Sequence, residues 1–229
     1  MKKIRTLIVR FKNIIGQHEI HLFRAAIVGM LRQNNILFHN HTNDGLRYAY
    51  PLIQYKRING KAAIVCIEEG TESIGEFFSG FGGMAQIGNR EVMLELDNVK
   101  VEQTLMQEWD SLFTYSIRKW LPFNSENFEK YQQTEGLKDK MEIMEKILIG
   151  NILSFAKGVG IHFEKEVLCT ITDLTSVGML RYKDVDFDAY DAHFKTNVLL
   201  PNYAGLGKGV SHGFGMVVRL CSPQRVITK

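Results

Sequence analysis

The sequence predicts an α+β protein built from two strand-and-helix halves, and three observations carry that reading. Short runs rich in Val, Ile and Leu are interleaved with segments whose apolar residues recur at helical spacing. Over the first hundred residues the order is strand, helix, strand, strand, helix, strand. A second strand, helix and several strands follow, with no low-complexity linker between the halves.

The first half reads as follows. Residues 4–11 are rich in Leu, Ile and Val and predict a strand. Phe23, Ile27, Met30 and Leu31, with Ile20 before them, share one helical face and predict a helix over 18–34. Strands over 52–58 and 62–67 flank Asn59-Gly60, a two-residue hairpin turn whose positions tolerate positive φ. Thr71-Glu72-Ser73 can cap a helix reaching residue 79, and 92–96 supplies the closing strand. The order βαββαβ is the split βαβ, or ferredoxin-like (RRM-like), arrangement.

In the second half, 112–120 reads as extended until Pro122 breaks it. Leu137, Met141, Met144, Leu148, Ile152 and Phe155 form a helical stripe ending at Gly158. Strands are expected over 167–171, at Val185, Phe187 and Ala189, and over 214–220. Asp184, Asp186 and Asp188 alternate with the middle set and, since carboxylates would repel RNA, read as a solvent face away from any RNA groove. Two tandem ferredoxin-like domains are therefore expected, 1–102 and a modified copy over 103–229.

Composition narrows the class. The 229 residues are 45% hydrophobic and 23% charged, ordinary values for a globular protein. A net charge of +3 permits nucleic acid binding without demanding it. Cys66, Cys169 and Cys221 are odd in number and lie in or beside apolar runs, so they read as reduced thiols in a cytoplasmic protein. The basic N-terminus is followed by no signal-peptide core, and no apolar run approaches the roughly 18 residues of a spanning helix, so no membrane is expected.

The segment 205–215 holds five glycines in eleven residues, at Gly205, Gly207, Gly209, Gly213 and Gly215, with Lys208 and His212 among them. Glycine lets a backbone approach a ligand closely, and successive exposed N–H groups can nest phosphate oxygens. A tight-turn loop with no ligand fits the same letters. The segment is not a Walker P-loop, because no Ser or Thr follows Gly207-Lys208 and a strand comes where a helix should. The dinucleotide fingerprint fails for the same reason of topology.

Far upstream, His39 and His41 follow the first helix and precede Arg47 and Tyr48. Imidazoles near their ordinary pKa of about 6.5 can take and give a proton. Two histidines, a tyrosine and a cation are the parts needed to cleave RNA without metal. One group deprotonates the 2′-hydroxyl, that oxygen attacks phosphorus, a second group protonates the leaving 5′-oxygen, and a cation steadies the charge. His-x-His is also a metal-ligand spacing, with Asp44 a further donor, and a surface loop with two histidines is a third reading. His18 and His21 open the first helix and read as boundary residues, although His18 could reach a phosphate through the helix N-terminus. Lys56, Arg57 and Lys61 flank the Asn59-Gly60 turn as a basic hairpin.

The pairs Gly205-Leu206-Gly207 and Gly213-Phe214-Gly215, five residues apart just before the last strand, resemble the C-terminal glycine-rich loop of the repeat-associated mysterious protein (RAMP) superfamily. Within it, the chain is most similar to the CRISPR repeat-processing endoribonucleases. That resemblance implies two ferredoxin-like domains and a catalytic histidine at or just after the first helix. One branch carries a histidine pair followed by a tyrosine, which His39, His41 and Tyr48 match, with His41 favoured as proton carrier. Many relatives also use an active-site lysine. None lies between His39 and Tyr50, so Arg47, Lys56 or Lys208 would serve.

The resemblance implies a metal-independent cut of repeat RNA giving a 2′,3′-cyclic phosphate and a 5′-hydroxyl, with no cofactor. RNA would be held by Arg47, Lys56, Arg57, Gly205, Gly207, Lys208, Gly209, His212, Gly213 and Gly215. A homodimer and association with a CRISPR interference complex stay open. So do two other classes: a non-cleaving RNA-binding subunit of the same superfamily, and an unrelated ferredoxin-like enzyme that holds a small phosphorylated ligand in its glycine-rich loop.

Overall fold

A computed structural model describes residues 2–31, 36–39, 41–42, 45–46 and 50–220, with the backbone alone described at 36, 39, 41, 42, 45, 46 and 80. The first half runs β1 (Lys2–Ile14), a 3-10 turn (Gln17–Glu19), α1 (Ile20–Gly29), α2 (Ile36–His39), β2 (His41–Thr42), β3 (Gly45–Leu46), β4 (Ile53–Ile58), β5 (Lys61–Ile67), α3 (Gly70–Gly80), β6 (Met84–Ile87), β7 (Arg90–Met93) and β8 (Leu96–Met106). Its main sheet has the order β4-β5-β1-β8, with every neighbour antiparallel. This is the ferredoxin-like order: β1 and β4 are joined through α1, and β5 inserts between them. Asn59 (φ 51°) and Gly60 (φ 84°) make the tight turn between β4 and β5.

The second half runs β9 (Glu108–Trp120), α4 (Ser125–Gln133), α5 (Leu137–Gly158), β10 (Cys169–Tyr182), β11 (Val185–Val198), a 3-10 turn (Val210–His212) and β12 (Met216–Arg219). Its sheet order, β10-β11-β9-β12, repeats that of the first half strand for strand. The protein is thus α+β with two tandem ferredoxin-like halves. Where the first copy has its second helix, the second copy has the glycine-rich segment. The change of sheet falls at Gln107, between the end of β8 and the start of β9.

The first sheet is a middle layer, and its sequence shows why. Ala62 to Ile67 are six consecutive buried residues, without the polar alternation of a half-exposed strand. Ala62, Ile64 and Cys66 face α1 and α3, joining Phe11, Phe23 and Phe77. Ala63, Val65 and Ile67 face the second half, joining Ile4, Ile8, Trp120, Leu148 and Phe155. One core therefore spans both halves. Burial holds the Cys66 thiol protonated, its pKa pushed well above the ordinary value. No helix among the described residues is long and apolar enough to cross a membrane.

Several expected elements moved. Residues 92–96 do not close the first sheet: Val92 belongs to the β6–β7 hairpin, and β8 begins where the expected strand ends. β8 is an edge strand whose residues 96–101 are all exposed, so the apolar alternation that marks a half-buried strand is absent from it. The expected long first helix stops at Gly29. Helix α4 went unread because none of its residues is buried; it is set by Asn124, whose side chain accepts from the Asn127 backbone N–H at 2.7 Å. Of the α5 stripe, Met144, Leu148, Ile152 and Phe155 are buried, whereas Leu137 at the helix start is 77% exposed.

Candidate RNA-binding cleft and the glycine-rich clasp

Strand β4 sets the geometry. Its odd positions, Ile53 and Tyr55, pack under α1 and α3. Its even positions, Gln54 and Lys56, therefore point at the second half, as the period of two requires. There they meet the glycine-rich segment. The Gly205 N–H donates to Gln54 Oε1 at 3.0 Å, Gln54 Nε2 donates to the Tyr50 hydroxyl at 2.7 Å, and that hydroxyl donates to the Gly205 carbonyl at 2.6 Å. Tyr50 is held as the neutral phenol because burial raises its pKa. Lys56 Nζ donates to the Val210 carbonyl at 2.9 Å.

The glycines are required by this packing. A Cβ on Gly215 (φ +60°) would lie 1.8 Å from the Leu206 carbonyl oxygen. One on Gly207 (φ +88°) would meet the Trp120 ring at 2.9 Å, and one on Gly213 (φ +87°) would meet Ile20 at 2.6 Å. The loop amides are largely taken up by the protein itself. Leu206 donates to the Gly215 carbonyl, Lys208 to Leu121, Phe214 to Gly209 and Gly215 to Lys119. These N–H groups are not open to a phosphate nest. The segment is a clasp that ties β4 and α1 of the first half to the end of β9 in the second.

Beside the clasp lies a cleft of about 710 Å³. Its walls come from His18 of the first 3-10 turn, His21 at the start of α1, Lys119 at the end of β9, Arg181, Tyr182 and Lys183 at the β10–β11 turn, and His212 and Phe214 of the clasp. Tyr182 packs edge-on against both His212 (5.2 Å between centroids) and Phe214 (5.7 Å). Asp184 is the carboxylate in the lining, and it pairs with Arg181 at 3.3 Å. It therefore sits at the cleft rather than on a face away from it. The balance of Lys119, Arg181 and Lys183 against Asp184 leaves the cleft cationic, as a polyanion site requires.

His212 is tuned in a distinctive way. Burial, then the charges of Arg24 and Lys183, push its pKa down to about 4. It is therefore a neutral imidazole at physiological pH, with Nδ1 3.1 Å from the Ser211 hydroxyl. A neutral ring can accept a hydrogen bond from a ribose hydroxyl or a base amino group. Lys119 is likewise held below the ordinary lysine value, chiefly by burial.

The other expected site residues are placed as follows. Lys56 is fully buried and Arg57 exposed, its Nε donating to the Ile15 carbonyl at 2.7 Å. Lys208 is half-buried, its ammonium 4.6 Å from the centre of the Phe187 ring. Gly209 (φ +66°) opens the 3-10 turn that carries His212. His39 ends α2 and His41 opens β2, both described by backbone alone, and Arg47 and Tyr48 lie outside the described residues. The residue before His39, Phe38, buries its ring beneath α1, and its carbonyl lies 3.5 Å from the guanidinium of Arg24. Among the described residues no group of three or more His, Cys, Asp or Glu is arranged to hold a metal ion.

His18, His21, Arg181 and Lys183 were not singled out in sequence as one site. They lie up to 165 residues apart from one another, and only the closure of the two halves gathers them. The one legible signal was the pair of histidines at the α1 start.

Lys56 leads to a prediction. Burial, with no carboxylate partner among the described residues, lowers its pKa from 10.5 to about 7. The unfolded chain then binds more protons than the native one between those values, so this group makes stability rise with pH from about 7 upward. In urea unfolding at pH 7 and 8.5, the change in stability across the interval should be more positive in the unmodified protein than in Lys56→Met, the cysteine contribution being common to both. Equal slopes would mean that Lys56 is solvated.

Comparison with known proteins agrees with this architecture. Residues 2–105 match the profile of the Cas6b N-terminal domain and residues 107–220 that of the Cas6b C-terminal domain. An uncharacterized protein of Methanocaldococcus jannaschii is 34% identical over 104 residues, 45% of this chain and 69% of that protein. A crystal structure of Cas6b superposes with a TM-score of 0.87 at 26% identity, covering 96% of this chain and 100% of that one. The structure of a CRISPR RNA processing endoribonuclease, also Cas6b, matches in fold with a TM-score of 0.75 at 23% identity, over 96% of this chain and 100% of that chain. With both domains matched in order along one chain, this protein belongs to the Cas6b family.

Proposed function

We propose that the protein is an endoribonuclease that binds CRISPR repeat RNA and cuts it without metal, by attack of a 2′-hydroxyl on the adjacent phosphorus. The observation that carries the reading is the cationic, histidine-lined cleft closed by the glycine-rich clasp, in a chain of the Cas6b family.

Within this reading the parts divide by role. Lys119, Arg181 and Lys183 attract and hold phosphates, and Tyr182 and Phe214 offer aromatic faces to an unpaired base. His212, neutral at pH 7, accepts a hydrogen bond from the RNA rather than pairing with a phosphate. Proton transfer belongs to the His39, His41 and Tyr48 segment, whose helix α2 meets the Arg24 guanidinium through Phe38. Lys56 and the glycines act through the loop that they shape, and Lys208 remains a half-buried cation on its outer side.

The chemistry sets the test. Incubated with cognate repeat RNA in EDTA, the protein should give one cut, leaving a 2′,3′-cyclic phosphate and a 5′-hydroxyl. A single 2′-deoxy substitution at the nucleotide whose hydroxyl attacks should abolish it, because the nucleophile is gone. Cleavage that needs added Mg²⁺, or that survives the deoxy substitution, would overturn the mechanism. Tight binding of intact repeat with no cut would favour the non-cleaving subunit instead.

A further inference from the structure

A second cavity, of about 390 Å³, lies on the other side of the clasp. It is lined by Asn124 and Asn127 at the start of α4, by Lys146, Gly150 and Asn151 of α5, and by Lys208. Among the described residues no carboxylate lines it. Two of its amides are already committed on their acceptor side. Asn151 Oδ1 takes the Trp120 indole N–H at 2.8 Å, and Asn124 Oδ1 takes the Asn127 backbone N–H at 2.7 Å. Each is left with its NH₂ group to offer. With the ammonium groups of Lys146 and Lys208, the pocket is a set of donors that suits a ligand rich in acceptors.

Gly150 is the second observation. It stands in the interior of the 22-residue α5, where glycine is the poorest choice after proline. Its φ is not positive, and among the described residues a Cβ there would meet no atom within 4 Å. What it does is leave the pocket wall bare. A helix that accepts that cost at a residue lining a cavity is shaped for an occupant.

The third observation is continuity. The clasp is the ridge between the two cavities. His212 and Phe214 line the cleft, while Gly207 and Lys208 line this pocket. A strand that leaves the cleft over the clasp passes Lys208 and reaches the pocket next.

We propose that this pocket takes one unpaired nucleotide of the bound RNA, its phosphate toward Lys146 and Lys208 and the carbonyl oxygens of its base toward the amides of Asn151 and Asn124. The volume lies within the range of small-ligand sites, at the size of a single nucleotide. The proposal rests on the reading of the protein as an RNA-binding nuclease.

The test uses the full chain and a repeat RNA that it cleaves, carrying one abasic nucleotide at each position in turn. One position outside the cut site should weaken binding by the unmodified protein about tenfold, read by fluorescence anisotropy. Gly150→Gln, which fills the pocket, and Lys146→Ala, at an exposed residue, should each weaken binding of the intact repeat by a similar factor. Neither variant should then lose further affinity at that abasic position. Gly150→Ala should raise the melting temperature by roughly 2 °C, showing that the glycine does not serve the helix. The pocket assignment is overturned if the variants bind intact repeat as the unmodified protein does, if they keep the abasic sensitivity, or if Gly150→Ala lowers the melting temperature. Failure of the unmodified protein to bind or cut any repeat would overturn the RNA reading itself.

Discussion

Replacing His41 with alanine is expected to slow single-turnover cleavage of repeat RNA by about a hundred- to ten-thousandfold, with RNA affinity unchanged within about threefold. The size follows from what one acid–base group contributes to a proton-transfer step, roughly 3 to 5 kcal/mol of barrier. Affinity should hold because the groups that meet the phosphates in this reading, Lys119, Arg181 and Lys183, sit on other elements and keep their places. The measurement is a pair: rate under enzyme excess, and dissociation constant with a 2′-deoxy repeat that cannot be cut. A parallel fall in both would make His41 a structural residue of the segment after α2. An unchanged rate would move the proton transfer to another group, with His21 and His212 of the cleft the next to replace. His39→Ala run beside it shows whether the two imidazoles share the work: two large losses mean separate acid and base, and one large loss means a single proton carrier.

Gly215→Ala is expected to destabilise the fold by roughly 3 to 5 kcal/mol, a large share of the 5 to 15 typical of a domain. Two penalties combine. The left-handed backbone at φ +60° disfavours any Cβ, and the added methyl would lie 1.8 Å from the Leu206 carbonyl oxygen. That oxygen belongs to backbone and cannot swing aside as a side chain could. Gly215 is also bonded on both sides, its N–H to Lys119 and its carbonyl to the N–H of Leu206, so moving it breaks the clasp from β9. Urea unfolding should report the loss. Gly209→Ala is the internal control: there the added atom meets the Phe214 ring at 2.7 Å, a group able to rotate, so its cost should be smaller. Equal effects would mean that crowding at the Leu206 carbonyl is not what fixes Gly215.

The fold was legible where residues are half-buried or wholly buried, and blank where they are neither. The Asn59-Gly60 hairpin, the apolar run of β5 and the α5 stripe could be read because burial imposes a period or a turn chemistry. Strand β8 and helix α4 could not, because one opens as an exposed edge and no residue of the other is fully buried. Site reading followed the same division. The glycine pairs stood out as letters, yet their reason is tertiary: Ile20, Trp120 and the Leu206 carbonyl crowd them from elements that no local pattern connects. Lys56 read as a surface cation of a basic hairpin, since its neighbours Arg57 and Lys61 are charged. The alternation of β4 instead turns it inward, onto the Val210 carbonyl. The cleft was the least legible of all, because its walls come from both sheets' connections and acquire meaning only together.

The middle position of the first sheet has a consequence for synthesis. Residues 1–106 emerge from the ribosome with one sheet face, carrying Ile4, Ile8, Ala63 and Val65, that only the second half can cover. At roughly 5 to 20 residues per second, about five to twenty seconds pass before Gly205 to Gly215 are available to close the clasp. Through that interval the cleft lacks the walls that His212 and Phe214 supply. A nascent chain of this kind offers a sticky apolar face to chaperones for as long as it remains unfinished.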